Sequence, residues 1–224
     1  MASKGREPSG AGSAPLDPDQ RAIRTLARRI LRAPVVEVEG DLCRAVAEKH
    51  LRRDPPEPLY YRGSLDGARY TPRGGPAGLY LANDPVTALA EIRVLLRGDR
   101  GRMFSSGRHD PVTVVSVYAK VGQVLDLTDG DVRRVLRISK KAIRTEWQAP
   151  MLAYLSGRGP MPLTQQIGLA AHVTGRIAGI LYPSAREKYG VCLVVFADRL
   201  APEDRVEAYD STGTLAQVLE PQRS

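Results

Sequence analysis

The chain has 224 residues, 42% of them hydrophobic but only 5% aromatic, and its 33 Lys and Arg outweigh 25 Asp and Glu for a formal net charge of +8. That length suits one ample core, and the basic balance admits an anionic ligand, an acidic partner or a nucleic acid as what the surface meets. No run of about 18 apolar residues occurs, which excludes a membrane-spanning helix, and the opening MASKGREPSGAGSAP lacks the apolar stretch of a secretory signal.

In chain order, residues 1–16 are rich in Gly, Pro and small residues and read as a disordered tail. LDPDQRAIRTLARRILRAP follows as an amphipathic helix. Asp17 stands at the cap, Pro18 at the first position and Gln20 where a capping-box partner belongs, while apolar residues at 22, 23, 26, 27, 30 and 31 form one stripe. PVVEVEG is expected as a short strand and DLCRAVAEKHL as a second helix, so residues 17–57 read as a helical extension. RRDPPEP breaks the chain. The main domain is placed at 58–210, opening with LYYRGS as a strand, the glycine-rich loop ARYTPRGGPAG and LYLA as another short strand.

NDPVTALAEIRVLLRG is expected as a helix over 85–97, with Asp84 as cap, Pro85 at the first position and Gly98 as stop. PVTVVSVYAKV, dense in β-branched residues, is the clearest strand, and GQVLDLTD reads as a further strand piece. Residues 130–157 look helical with a break at Pro150, and PLTQQIGLAAHVTGR is a helix with Thr164 as its cap. IAGILYPSAR runs from strand into turn, GVCLVVFAD is a buried strand, and 211–224 is a C-terminal tail with little to hold it. Strands and helices mix without regular βαβ alternation, so the fold class is α+β: a curved or split β-sheet with helices packed outside.

Several chemistries are missing. The chain has neither the Gly-rich phosphate loop with its Lys nor the G-x-S-x-G nucleophile elbow. His50, His109 and His172 share no ligand spacing with one another or with Cys43 and Cys192, so no metal site is expected. The two cysteines are far apart in apolar contexts, which points to free thiols and a reducing cytoplasm. The arginines are scattered rather than blocked, which argues against direct nucleic-acid contact.

What remains is a set of polar residues in apolar, strand-adjacent settings: Arg62, Arg69, Tyr80, Glu91 and Ser184. At 3.6 residues per turn, Leu89, Ile92, Leu95 and Leu96 define the buried centre of the 85–97 helix. Glu91 then falls on its flank, where a carboxylate reaches a cleft without full burial of its charge. Arginines are suited to holding an anionic ligand, since guanidinium pairs bidentately with phosphate. Each residue alone is an ordinary surface or packing residue.

Three blocks together resemble the RES-domain family, named for an Arg, a Glu and a Ser and known chiefly as the toxins of RES–Xre toxin–antitoxin pairs. They are LYYRG with GARYTPRGGPAGLYLANDPVTALAEI, then PLTQQIGLAAHVTGRIAGILYPSAR, then GVCLVVFAD, spanning roughly residues 58 to 210. The resemblance implies an ADP-ribosyltransferase-like fold and the destruction of NAD, which is substrate rather than cofactor. It makes Arg69, Glu91 and Ser184 the catalytic set and Arg62, Tyr80, Tyr70 and Arg186 the substrate-binding residues. Cys192 stands where the family tends to have Asn.

In that reading Arg62 and Arg69 neutralise the pyrophosphate, Glu91 stabilises an oxocarbenium-like state as the nicotinamide–ribose bond breaks, and Tyr80 stacks on the nicotinamide. Ser184 bonds the ligand or orients the attacking group, without a base to make it a nucleophile. The acceptor stays open between water, phosphate and a protein side chain, and a non-catalytic basic nucleic-acid-binding module is the alternative from another class. The expected partner is an Xre-type antitoxin; the oligomeric state is open, a homo-oligomer included.

Overall fold

A computed structural model describes residues 17–61, 67–97, 103–105, 107, 111–219 and 221. The expected disordered tail, Arg62 and His109 lie outside the described residues. The elements in order are α1 (Pro18–Ile30), β1 (Val36–Ala47), α2 (Glu48–Leu51), β2 (Leu79–Ala82), α3 (Pro85–Glu91), β3 (Leu95–Arg97), β4 (Met103–Ser105) and β5 (Val112–Asp126). Then come α4 (Gly130–Leu136), α5 (Lys140–Arg144), α6 (Gln148–Leu155), α7 (Leu163–Val173), β6 (Gly179–Pro183), β7 (Val191–Val195), β8 (Arg205–Tyr209) and β9 (Gln217–Leu219). The class is α+β, as expected, with one parallel strand pair in an otherwise antiparallel sheet.

β5 organises the sheet because its fifteen residues, rich in Val, favour a long pleated strand. β1 pairs antiparallel along one edge of it, from Val36 opposite Val124 to Ala47 opposite Val112. On its other edge lie β8, beside Ser116–Lys120, and β6, beside Val124–Asp126. β6 leads to β7 and β7 to β2, and a single pair, Cys43 with Ala82, returns β2 to β1. The sheet therefore closes on itself, and closure turns one face inward.

Alternation sorts the side chains between the faces. Val115, Val117, Ala119 and Val121 of β5 point inward with Leu79, Leu81, Leu193 and Val195. Ile180, Tyr182, Cys192 and Val194 point outward beneath α1, α4, α5 and α7. Burying one such Val or Leu contributes roughly 1.5–3 kcal/mol, so the two clusters supply most of the drive for folding.

The structure corrects several expectations. DLCRAVAEKHL is mostly strand: β1 runs on to Ala47, because its alternating residues complete both faces opposite β5, and only one helical turn follows. Residues 17–57 are thus no helical extension. The long helix expected over 85–97 stops at Glu91. Asp84 caps it, accepting from Thr87 N (2.9 Å) and Thr87 Oγ1 (2.6 Å), with Pro85 in the first turn. Arg93 then takes a left-handed conformation (φ 62°), and Leu95–Arg97 pairs with β4, so strand pairing overrides the helical period.

GQVLDLTD is the end of β5 rather than a separate strand. The part of LYYRGS that is described, up to Tyr61, is turn and coil. Pro150 breaks no helix, since it sits in the first turn of α6, where its missing N–H costs nothing. The N-cap of α7 is Pro162, and Thr164 is buried at the second position of the helix. The expected tail after residue 210 supplies β9, held to β8 and by Gln217, whose Oε1 accepts from Leu59 N at 2.7 Å.

Candidate active site

A cavity of about 290 Å³ opens on the outer face of the sheet. Its floor is where β1, β2, β7 and β6 meet, with Cys43, Ala45, Tyr80, Ala82, Cys192 and Tyr182 facing it. α3 supplies one wall through Ala88, Glu91 and Ile92, and the turn from α5 into α6 supplies the opposite wall through Trp147 and Gln148. Ala68 and Arg69 enter from the glycine-rich loop, and Arg186 from the loop after β6.

The cavity brings Glu91 and Arg69 together and places Ser184 directly behind Glu91. Ser184 is fully buried and does not line the cavity. Its Oγ donates to Glu91 Oε1 at 2.5 Å and accepts from the backbone N–H groups of Arg186 (3.0 Å) and Glu187 (2.9 Å). Ala185 N adds a bond to the same Oε1 at 3.2 Å. The serine proton is therefore committed to the carboxylate, and its lone pairs to two amides. Ser184 fixes Glu91 and closes the loop; it is not arranged as a nucleophile. Glu91 Oε2 accepts no hydrogen bond among the described residues.

Arg69 is 5% exposed, and its Nη1 donates to the carbonyls of Ile143 (2.8 Å) and Thr145 (3.4 Å) at the end of α5. Its Nε is buried with no partner, a donor whose burial costs on the order of 1–3 kcal/mol until an acceptor reaches it. Tyr80 presents its ring to the cavity while its hydroxyl is held outside it, accepting from Tyr70 N (3.0 Å) and bonded to Thr71 Oγ1 (3.1 Å). Burial outweighs those bonds and the nearby Arg69 charge, and pushes the Tyr80 hydroxyl up to about 12, so it stays neutral.

Tyr70 lies elsewhere. It is fully buried behind the floor, packed on Tyr182 with ring centroids 4.6 Å apart, and it does not line the cavity. Its backbone presses so closely on α7 that only Gly168 fits there: a Cβ would overlap the Tyr70 carbonyl oxygen. Arg186 lines the cavity; burial and the neighbouring Arg93 charge lower its proton affinity, Glu91 opposing them. Arg62 lies outside the described residues.

Sequence reasoning missed Trp147 and Gln148, which sit in a segment read only as helix, and Trp147 is the one tryptophan of the chain. A lone Trp beside a helix start, where a large aromatic has no reason to be buried, is the signal that was available. Arg44 also borders the cavity through β1, but alternation with Cys43 and Ala45 sends its side chain to the inner face, where it donates to the Tyr60 carbonyl.

The two cysteines both face the cavity on either side of Ala82. Two strand spacings, about 10 Å, separate them, which is too far for a disulfide. Burial, and then the Glu91 charge, push the Cys192 thiol well up, so this position offers the cavity a neutral, weakly polar group. Among the described residues no group of three or more His, Cys, Asp and Glu side chains is placed to hold a metal ion.

The RES-domain family model matches residues 41–216. The chain belongs to the RES-domain family. The matched span begins inside β1, which agrees with that strand being integral to the sheet rather than part of an extension. No curated protein matches the sequence. Among solved structures, this RES domain is similar to the crystal structure of the M. tuberculosis MbcT–MbcA toxin–antitoxin complex, with a TM-score of 0.53 and 19% identity over 87% of this chain and 88% of that one. At that identity the likeness concerns the fold.

Proposed function

We propose that this RES domain cleaves the nicotinamide–ribose bond of NAD and acts as the toxin of a toxin–antitoxin pair. The observation that carries the reading is the pinned carboxylate. Glu91 Oε1 is fixed by Ser184 and Ala185, while Oε2 is left for a ligand in a cavity walled by aromatic rings and arginines.

The chemistry follows from those groups. The C1′–N bond of the nicotinamide riboside breaks with its electron pair going to the nicotinamide, which leaves as a neutral ring. Positive charge develops on the ribose C1′ and ring oxygen, and the preorganised Glu91 carboxylate stabilises it. Tyr80, whose hydroxyl is tied back to the Tyr70–Thr71 backbone loop, offers a ring face on which a flat heterocycle stacks. Arg69 supplies a buried cation with an unpaired Nε for an anionic or carbonyl oxygen of the substrate. A new C1′–O bond then forms with the acceptor, which gives up its proton to Glu91 or to solvent. Ser184 acts through Glu91 as a positioning residue.

Such a toxin would work in the cytoplasm, where NAD is plentiful and the free thiols Cys43 and Cys192 stay reduced. An antitoxin, Xre-type on the family resemblance, would restrain it. The likeness to a toxin of a toxin–antitoxin complex supports such a partner, and the net charge of +8 suits one that presents an acidic segment.

The test is product analysis by NMR and mass spectrometry of NAD incubated with the pure protein, with and without phosphate. ADP-ribose identifies water as acceptor, ADP-ribose-1-phosphate identifies phosphate, and ADP-ribose retained on a protein identifies a transferase. Glu91→Gln is expected to lower turnover by about a thousandfold with the fold intact. Intact NAD, together with undiminished toxicity of Glu91→Gln in cells, would overturn the reading. Salt-sensitive nucleic-acid binding in its place would favour a binding module.

A further inference from the structure

We propose that Arg186 and Arg93 form a diphosphate-binding end of this cavity, with Glu146 and Gln148 as the partners that an incoming diphosphate displaces from Arg93. The inference rests on the NAD reading for its biological substrate but stands on geometry of its own.

Arg186 is a cation without a counter-ion. It lines the cavity, and its guanidinium makes no hydrogen bond and no ion pair among the described residues. Its charged surroundings are Arg93 and Arg69, of like sign, and Glu91 and Glu146. Its backbone is fixed against the reaction centre: Arg186 N donates to Ser184 Oγ, and the preceding N–H, that of Ala185, donates to Glu91 Oε1. A guanidinium so placed is held beside Glu91 but left unsatisfied.

Arg93 does not line the cavity itself but reaches its rim at Gln148, which does. Two residues past Glu91 the chain takes the left-handed conformation that non-glycine residues avoid, which aims Arg93 at the α5–α6 wall. There its Nη2 donates to Gln148 Oε1 and lies 3.8 Å from Glu146 Oε1. The ion pair is half exposed on both sides (49% and 44%), the kind that contributes little and is readily exchanged. Glu146 keeps its own work without Arg93, because its carboxylate accepts from Gln148 N and Ala149 N at 3.0 Å each and so caps the first turn of α6.

The charge pattern selects the ligand. The charges acting on Arg186 are two arginines, Arg93 and Arg69, and two carboxylates, Glu91 and Glu146, and Glu91 already accepts two hydrogen bonds. Arg69 is anchored to two carbonyls deep in the wall, so the cations free to follow a ligand are the outer two. A diphosphate carries two negative charges on adjacent groups, which two guanidinium forks can grip bidentately where a single carboxylate cannot occupy both.

The probes are ADP and inorganic pyrophosphate, titrated into the full-length protein with the fluorescence of Trp147 as the reporter. The variants are Arg186→Gln, Arg93→Gly, which relieves the left-handed backbone as it removes the side chain, their double, and Glu146→Gln. Each single arginine variant is expected to weaken ADP and pyrophosphate about tenfold, and Glu146→Gln to tighten both about threefold. With NAD, the loss should fall on KM rather than kcat.

Unchanged ADP affinity in the double variant, or a loss borne by kcat alone, would overturn the proposal. If ADP binds through the arginines while NAD stays intact, the diphosphate end stands and the NAD reading falls. If NAD is cleaved with KM unmoved in the double variant, the NAD reading stands and the diphosphate end falls.

Discussion

Arg44 and Arg69 lie on opposite faces of one curled sheet, and both carry buried guanidinium nitrogens without a partner. Arg44 projects from β1 to the inner face, among Val46, Leu59 and the Val residues of β5, and gives one hydrogen bond to the Tyr60 carbonyl. Arg69 enters the outer face from a loop, braced by two carbonyls, and borders open space that it shares with Glu91. Burial alone therefore does not mark a site. An unsatisfied donor becomes functional when the space in front of it admits a ligand and a carboxylate is pinned across that space. On the inner face Arg44 has the Tyr60 carbonyl as its acceptor, and among the described residues no carboxylate is paired with it.

The largest effect on this contrast should come from a residue that touches neither arginine. Gly168 of α7 lets the Arg69–Tyr70 loop lie against the helix, and a methyl group there overlaps the Tyr70 carbonyl oxygen, a backbone atom with no rotamer to yield. Gly168→Ala is expected to destabilise the fold by about 3 kcal/mol, read as a lowered denaturation midpoint in urea. Whatever NAD cleavage the wild type shows should be lost in the variant even where it is folded, because Arg69 moves with the loop. An unchanged midpoint would mean that the loop does not depend on this contact.

Next comes Arg69→Met, which keeps the volume and the packing but removes the cation. Its expected cost is about 100-fold in kcat/KM for NAD, or about 2.7 kcal/mol of transition-state stabilisation. The folded stability should stay close to that of the wild type, since an unpaired buried donor disappears with the charge. A variant that retains full turnover would remove Arg69 from the reaction.

The same contrast explains what was legible in the sequence. β5 and β7 were readable because their side chains carry β-branched or unbroken apolar patterns that only a strand satisfies. The Asp84 cap was readable because capping is local chemistry between neighbours. β1 was not, since DLCRAVAEKHL contains good helix formers and its strand state comes from pairing with the distant strand β5, Asp41 opposite Tyr118 and Ala47 opposite Val112. The end of α3 was hidden for the same reason, as the strand Leu95–Arg97 depends on its pairing with Met103–Ser105.

At the site, Arg69, Glu91 and Ser184 could be picked out by resemblance, but their division of labour could not. Nothing in YPSAR tells that the Ser184 hydroxyl is spent on Glu91 and two amides. Nor does LYLA tell that the Tyr80 hydroxyl is bonded to Tyr70 N while the residue lines the cavity. Arg44 was invisible as a decoy, because the face it takes depends on reading β1 as a strand.

The smallest effect is expected at Arg44, and it is the one that isolates the principle. Burial pulls its proton affinity down to about 10, well below the ordinary arginine value, so the folded state binds that proton less tightly than the unfolded chain does. The sign then follows: below pH 10 the charge is present in both states and its burial opposes folding in full, and the penalty fades only as pH rises from about 10 towards the ordinary arginine value of the unfolded chain. At neutral pH the Arg44 charge is a standing cost, offset by its bond to Tyr60. Arg44→Met exchanges that charge for an apolar chain of similar length among Val46, Leu59 and Val115. The unfolding free energy from urea titration should change by less than about 1 kcal/mol in either direction, and turnover of NAD should not move at all. A loss of turnover comparable to that of Arg69→Met would mean that the inner face communicates with the cavity through β1, and the separation of the two faces would fail.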